Sequence, residues 1–186
     1  DRAGLRRRSA TLPSLFISDL HLDSSRPAIT ALFLDFLRGE ASQAEALYIL
    51  GDLFEAWVGD DDDSELAQTV AMALRALAES GVPVFVMRGN RDFLLGPAFA
   101  GKTGAQLLPD PCVVQLCGQP TLLMHGDSLC TDDTEYMTFR AEVRNPAWQK
   151  EFLGKSVAER DPSKPYTCRA SNAAVCSATT AANRAC

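Results

Sequence analysis

"LFISDLHLD", residues 15–23, decides how the chain is built, because an apolar run breaks abruptly onto Asp19, His21 and Asp23. Residues 14–18 have the make-up of a buried strand. An ionised carboxylate at the end of such a strand is costly unless a partner neutralises it, so the pattern predicts a cation held at the strand end. Asp19 and His21 are two positions apart, which points both side chains to the same side of an extended chain. Asp23 reads as a neighbouring loop residue.

Working outward, strand and helix patterns alternate. Pro27 opens a helix whose Ile29, Leu32, Phe33, Phe36 and Leu37 share one face. "ALYIL" (46–50) is a second buried strand. After an acidic loop, Leu66, Val70, Leu74 and Leu77 line a helix that Gly81 and Pro83 end, and "VPVFVM" (82–87) is the third strand. A short apolar helix is predicted near 93–100, leading to Leu107 and Leu108. "CVVQL" (112–116) and "TLLMH" (121–125) then form a strand pair around Gly118 to Pro120. Two helices are predicted at about 132–144 and 147–158. The alternation is that of an α/β fold with a mostly parallel sheet, closed by a pair that can be antiparallel. In open α/β sheets ligands bind at the carboxyl ends of the strands, and Asp19, His21, Asp52, Asn90 and His125 all fall on that rim.

With 186 residues, 46% of them hydrophobic, the chain supports one compact domain. A net charge of −6 argues against a nucleic-acid partner, since neutralising phosphates needs a basic face. Four arginines (2, 6, 7 and 8) stand in the first 14 residues, yet the apolar stretch behind Pro13 is too short for a secretory h-region. The expected setting is therefore cytoplasmic, without a membrane span. Six cysteines show no paired C-x-x-C spacing and read as buried or incidental thiols, Cys130 among them. Residues 161–186 contain no Leu, Ile, Phe, Met or Trp and cannot extend a core. The predicted organisation is a disordered basic head over 1–13, a domain over 14–160 and a disordered tail over 161–186.

Each chemical block taken singly has an ordinary explanation as a turn. "LGDLFE" puts Asp52 after a glycine at the end of a strand. "RGNRD" (88–92) offers the Asn90 carbonyl and the Arg91 guanidinium, the latter suited to clamping a phosphate. "LLMHGDSL" brings His125, and both histidines of the chain sit at strand ends beside acidic residues. Together, oxygen and nitrogen donors without thiolate suit Mn(II) or Fe(II) better than structural zinc. A carboxylate shared between two such donor sets describes a two-metal centre, whose chemistry is phosphoester hydrolysis. The acidic run Asp60 to Asp63 reads as a solvated loop, and Trp57 as either packing or a substrate contact. Tyr136, Phe139, Arg140 and Val143 share a face of a helix that either caps a site or packs on the core.

D-x-H, G-D, G-N-x-D and a later His-Gly block, in this order over roughly residues 14–160, resemble the calcineurin-like metallophosphoesterases. "ALYILGDLFEAWVGDDD", "GNRDFLLG" and "MHGDSLCTDDTEYMTFR" are similar to the branch that cleaves the pyrophosphate of UDP-2,3-diacylglucosamine. The resemblance implies a layered α/β/β/α fold with the start of a helical cap near residue 132. It implies two manganese ions, one bound by Asp19, His21 and Asp52, the other by Asp52, Asn90 and His125. It further implies that Asn90, Arg91 and His125 serve catalysis, that Asn90 and Arg91 face the phosphates, and that Asp133 and Tyr136 help hold the sugar. The products would be UMP and an acylated sugar 1-phosphate of lipid A synthesis, made by a Gram-negative cell at the cytoplasmic face of its inner membrane.

Two departures stand out. The family carries a G-H-x-H motif in its last third, and this chain has no histidine after His125. Arg88 stands where the branch commonly has a histidine. The expectation is a C-terminally truncated or frame-shifted member with impaired turnover. Two readings stay open beside it, a nucleotide or phosphodiester hydrolase of the same superfamily and an inactive metal-binding remnant.

Overall fold

A computed structural model describes residues 12–160. The predicted tail over 161–186, and nearly all of the predicted head, lie outside the described residues. Strands β1 (Ser14–Ile17), β2 (Ala46–Leu50), β3 (Val84–Met87) and β4 (Gln106–Leu108) form one parallel sheet in the order β1-β2-β3-β4. Helices α1 (Pro27–Arg38), α2 (Glu65–Glu79) and α3 (Pro97–Thr103) are the crossovers between them. Strands β5 (Cys112–Leu116) and β6 (Gln119–Leu123) pair antiparallel as a separate two-stranded sheet. Cys117 and Gly118, both at positive φ, make the two-residue turn between them.

The two faces of the parallel sheet are buried differently, as the period of two dictates. Leu47, Ile49, Val84 and Val86 point to one side and pack with Phe33, Leu37, Val70 and Leu74 of the helices. Tyr48 and Met87 point to the other, where Leu123, Val114 and Leu116 of the hairpin meet them. On that second face Phe16 stacks on Tyr48 at 4.8 Å, and Tyr48 on Phe85 at 4.7 Å. A helix layer, a four-stranded sheet and a docked hairpin therefore succeed one another, an α/β arrangement with a second sheet layer.

After the hairpin come α4 (Thr134–Val143), α5 (Pro146–Leu153) and α6 (Val157–Arg160). Asp133 caps α4 by accepting from the Tyr136 amide at 2.9 Å, and Asn145 caps α5 through Ala147 at 2.8 Å. The helix predicted over 147–158 is thus two, because Gly154 ends α5 and Ser156 with Glu159 starts α6 afresh.

Two further elements differ from expectation. Gln106–Leu108 is a fourth strand, paired with β3. The helix expected near 93–100 begins at Pro97, because Asp92 to Leu95 form a turn closed by the Leu95 amide on the Asp92 carbonyl at 3.0 Å and the cap comes from far away: Asp60 accepts from the amides of Gly96 and Phe99, both at 2.9 Å. Asp60 also takes the Trp57 indole at 3.2 Å, and Asp61 pairs with the buried Arg160. The acidic run is therefore structural at its first two positions rather than simply solvated. Trp57 is buried and packs against Phe54 and Phe99, the first of its two sequence readings.

Candidate metal centre

Beyond the strands proper, the chain after β1 keeps pairing with the chain after β2. The amides of Asp19, His21 and Leu22 donate to the carbonyls of Gly51, Asp52 and Leu53 at 3.1, 3.0 and 2.9 Å. This zipped extension sets Asp19 and His21 against Asp52. Asp19, His21 and Asp52 all adopt positive φ (57°, 48° and 52°), a region that residues with a side chain occupy at a cost. The three left-handed backbones lie side by side on the zipped segments, where they set the direction of the Asp19, His21 and Asp52 side chains.

The five rim residues converge. Ligand atoms of Asp19, Asp52 and His125 lie within 4.8 Å of one another. His21 Nε2 is 3.6 Å from Asp52 Oδ2 and 4.0 Å from Asp19 Oδ1, and His125 Nε2 is 3.7 Å from Asp52 Oδ1. Asp52 is the buried hub, and burial pushes its carboxyl above the usual range despite the Arg91 amide it accepts at 2.8 Å. A cation is the natural partner for a carboxylate in that position. The contact between His125 and Asn90 points the same way. His125 Nδ1 lies 2.9 Å from the Leu50 carbonyl, an obligate acceptor, so Nδ1 carries a proton and a neutral ring presents a lone pair at Nε2. That lone pair faces Asn90 Oδ1 at 2.9 Å. In that form two acceptors this close need positive charge beside them or the Asn90 amide turned to present its NH2, whereas a doubly protonated ring donates to Asn90 Oδ1 directly. The oxygen and nitrogen donors fit hard or borderline divalent ions.

Several residues that shape this rim escaped the sequence reading. Asp92 is fully buried and accepts from the amides of Gly89 (2.7 Å), Leu53 (2.8 Å) and Asp52 (3.3 Å), pinning the Asp52 and Asn90 loops together. Burial raises its carboxyl to about 6. Gly89 has no room for a side chain, since a Cβ there would run into the Asp52 carboxylate and amide, and one on Gly51 into the His125 ring. Glu55 stands behind His21, with Oε2 3.1 Å from Nδ1.

A second polar cluster joins α4 to the rim. Asp127 takes Arg140 in two bonds (2.8 and 3.1 Å) and the Tyr136 hydroxyl at 2.7 Å. Burial opposes the Asp127 charge, but these donors outweigh it and hold the carboxyl below its usual range. Arg144 reaches the Gly89 carbonyl at 3.0 Å, and Asp110 links Arg140 (3.4 Å) to the His125 amide (3.1 Å). Of the two residues expected to hold a sugar, Asp133 therefore caps a helix and Tyr136 donates to Asp127; Arg91, expected to face the phosphates, lies at the rim with its Nη2 3.9 Å from Glu55. Cys130 is half-buried beside this cluster's 3-10 turn, Asp127–Leu129.

The calcineurin-like phosphoesterase profile matches residues 12–172. A protein of Xanthomonas campestris pv. campestris named UDP-2,3-diacylglucosamine hydrolase is 63% identical over 149 residues, which is 80% of this chain and 60% of that protein. Proteins of the same name from Xanthomonas oryzae pv. oryzae and Stenotrophomonas maltophilia are each 60% identical with the same coverage. The chain thus spans about 60% of the length of the curated relatives it matches.

Proposed function

The chain belongs to the calcineurin-like phosphoesterases, and from that premise we propose that it carries the greater part of the centre of an enzyme hydrolysing the pyrophosphate bond of UDP-2,3-diacylglucosamine to UMP and 2,3-diacylglucosamine 1-phosphate. The observation that supports this most is the convergence of Asp19, His21, Asp52, Asn90 and His125 on one rim, in a chain 63% identical to a protein of that name.

Asp19, His21 and Asp52 would hold one ion, and Asp52, Asn90 and His125 a second, with Mn(II) the best match to the donors. Such ions supply a Lewis acid that activates water and neutralises charge on a phosphoryl group. The remaining work falls to the protein. Asp52, buried and fixed by the Arg91 amide, keeps the two halves of the centre in register. His125 is held in the tautomer that aims Nε2 at the centre by the Leu50 carbonyl. Arg91 offers the planar fork suited to a diphosphate, and Asn90 carries an amide group on the same loop. Tyr136 donates to Asp127, so its oxygen retains the capacity to accept from a sugar hydroxyl, beside Asp133 at the same helix start. A lipid substrate sets the action at the cytoplasmic surface of the inner membrane, by peripheral contact. No described helix is long and apolar enough to cross a membrane.

The test is hydrolysis of UDP-2,3-diacylglucosamine with added Mn(II), beside simple nucleotide phosphodiesters. It compares the 186-residue chain with a chimera that continues after residue 160 with the corresponding C-terminal part of the Xanthomonas campestris relative. Selective cleavage of the lipid nucleotide by the chimera supports the substrate assignment. Preference for simple diesters overturns it.

A further inference from the structure

We infer that Glu55 is a positioning residue that fixes the ring of His21, an inference that rests on the metal-binding reading above. The two histidines of the centre face the same requirement: one ring nitrogen must present a lone pair inward, so the other must hold the proton and give it to an acceptor behind. For His125 that acceptor is the main chain, the Leu50 carbonyl at 2.9 Å. For His21 no carbonyl among the described residues fills the role. Its Nδ1 is buried and has no aligned hydrogen-bond partner among the described residues, and Glu55 Oε2 lies 3.1 Å from it, off the line of a good bond. On the other side of the ring Nε2 looks toward Asp52 and Asp19, at 3.6 and 4.0 Å.

Glu55 is not there by accident of a flexible side chain. Its amide donates to the Leu22 carbonyl at 3.0 Å, in the same zipped extension that sets His21 against Asp52, so the two residues are registered by backbone. Its two oxygens are divided between loops. Oε2 faces His21 and also Arg26 at 3.5 Å, and Arg26 in turn donates to the His21 carbonyl. Oε1 faces Arg91 at 3.9 Å. A small rotation of the carboxylate aligns Oε2 with Nδ1–H, which locks the tautomer with the Nε2 lone pair inward. Without Glu55 the favoured acceptors are Asp52 and Asp19, which draw the proton to Nε2 and close the nitrogen to a cation.

Only two histidines occur in the chain, so histidine labelled with 15N in the ring reports both without ambiguity. The full chain, free of metal and at a pH where both rings are neutral, is expected to show His21 with its proton on Nδ1. Glu55→Ala should move that proton to Nε2, while Glu55→Gln, whose amide oxygen still accepts, should retain much of the original form. His125 should be unchanged in both, which also verifies the fold. Calorimetric titration with Mn(II) should show affinity about 10- to 100-fold weaker in Glu55→Ala, the range found when the support behind a ligand is removed. A proton already on Nε2 in the wild-type chain, or a tautomer indifferent to Glu55→Ala, overturns the inference. Should the wild-type chain bind no Mn(II) while the tautomer follows Glu55, the metal reading fails and the positioning role stands.

Discussion

Asp92 shows how much one buried side chain decides. In an unfolded chain an aspartate titrates near 3.9, whereas burial lifts the folded Asp92 to about 6. The folded state therefore binds this proton more tightly, so the contribution is present in full below pH 4 and is lost as the pH rises through 6. The loss reaches about 3 kcal/mol at most. Urea unfolding of the metal-free chain from pH 4 to 7 is expected to show a falling component that Asp92→Asn removes. Positive charge at Asp52, 40 positions away in sequence but bonded to Asp92 through its amide, should flatten the slope when Mn(II) is added. Gly89 makes the complementary point about space. Gly89→Ala forces a methyl group against the Asp52 carboxylate and amide. It should lower stability by roughly 3 kcal/mol, the upper end for overpacking, and weaken Mn(II) binding, both read from urea midpoints with and without the ion.

At the scale of elements, α3 is started by a residue 36 positions before it. Asp60→Ala removes an acceptor from the Gly96 and Phe99 amides and from the Trp57 indole. A lost cap of this kind costs about 1–2 kcal/mol, and near-ultraviolet circular dichroism should show the Trp57 environment loosened at the same time. This contact also explains what the sequence concealed. The strands β1 to β3, the helices α1 and α2 and the five rim residues were legible, because apolar periodicity and abrupt polar ends are local features. The start of α3 was not, since its cap lies outside any window around it, and β4 was not, since three residues with Gln106 exposed carry too little pattern. Glu55, Asp92 and Asp127 were invisible for the same reason: a carboxylate in a loop reads as solvated until the fold brings the amides, ring or guanidinium groups it serves.

Across the whole molecule, the centre is assembled from parts that do not belong to one layer. Asp19, His21, Asp52 and Asn90 follow β1, β2 and β3 of the parallel sheet, whereas His125 follows β6 of the hairpin docked on its second face. Two things hold that docking in place, the apolar contact of Leu123 with Tyr48 and Met87, and the polar cluster around Asp127. The cluster is the more telling, because Arg144 ends on the Gly89 carbonyl and Asp110 on the His125 amide, so α4 touches both loops of the Asn90 and His125 half. Asp127→Ala leaves Arg140 and Arg144 without their common counter-ion in a partly buried place, a loss of about 3–5 kcal/mol by analogy with broken buried pairs. Asp127→Asn keeps the volume and some of the hydrogen bonding, and should lose less. If α4 only covers the rim, both variants lose stability and bind Mn(II) as before wherever they are folded. If α4 sets the Asn90 and His125 half, as the two loop contacts predict, the folded variants retain binding at Asp19, His21 and Asp52 and lose affinity at the second position. Titration of Mn(II) by electron paramagnetic resonance separates these outcomes, since it counts bound ions and shows whether one class of site weakens while the other persists.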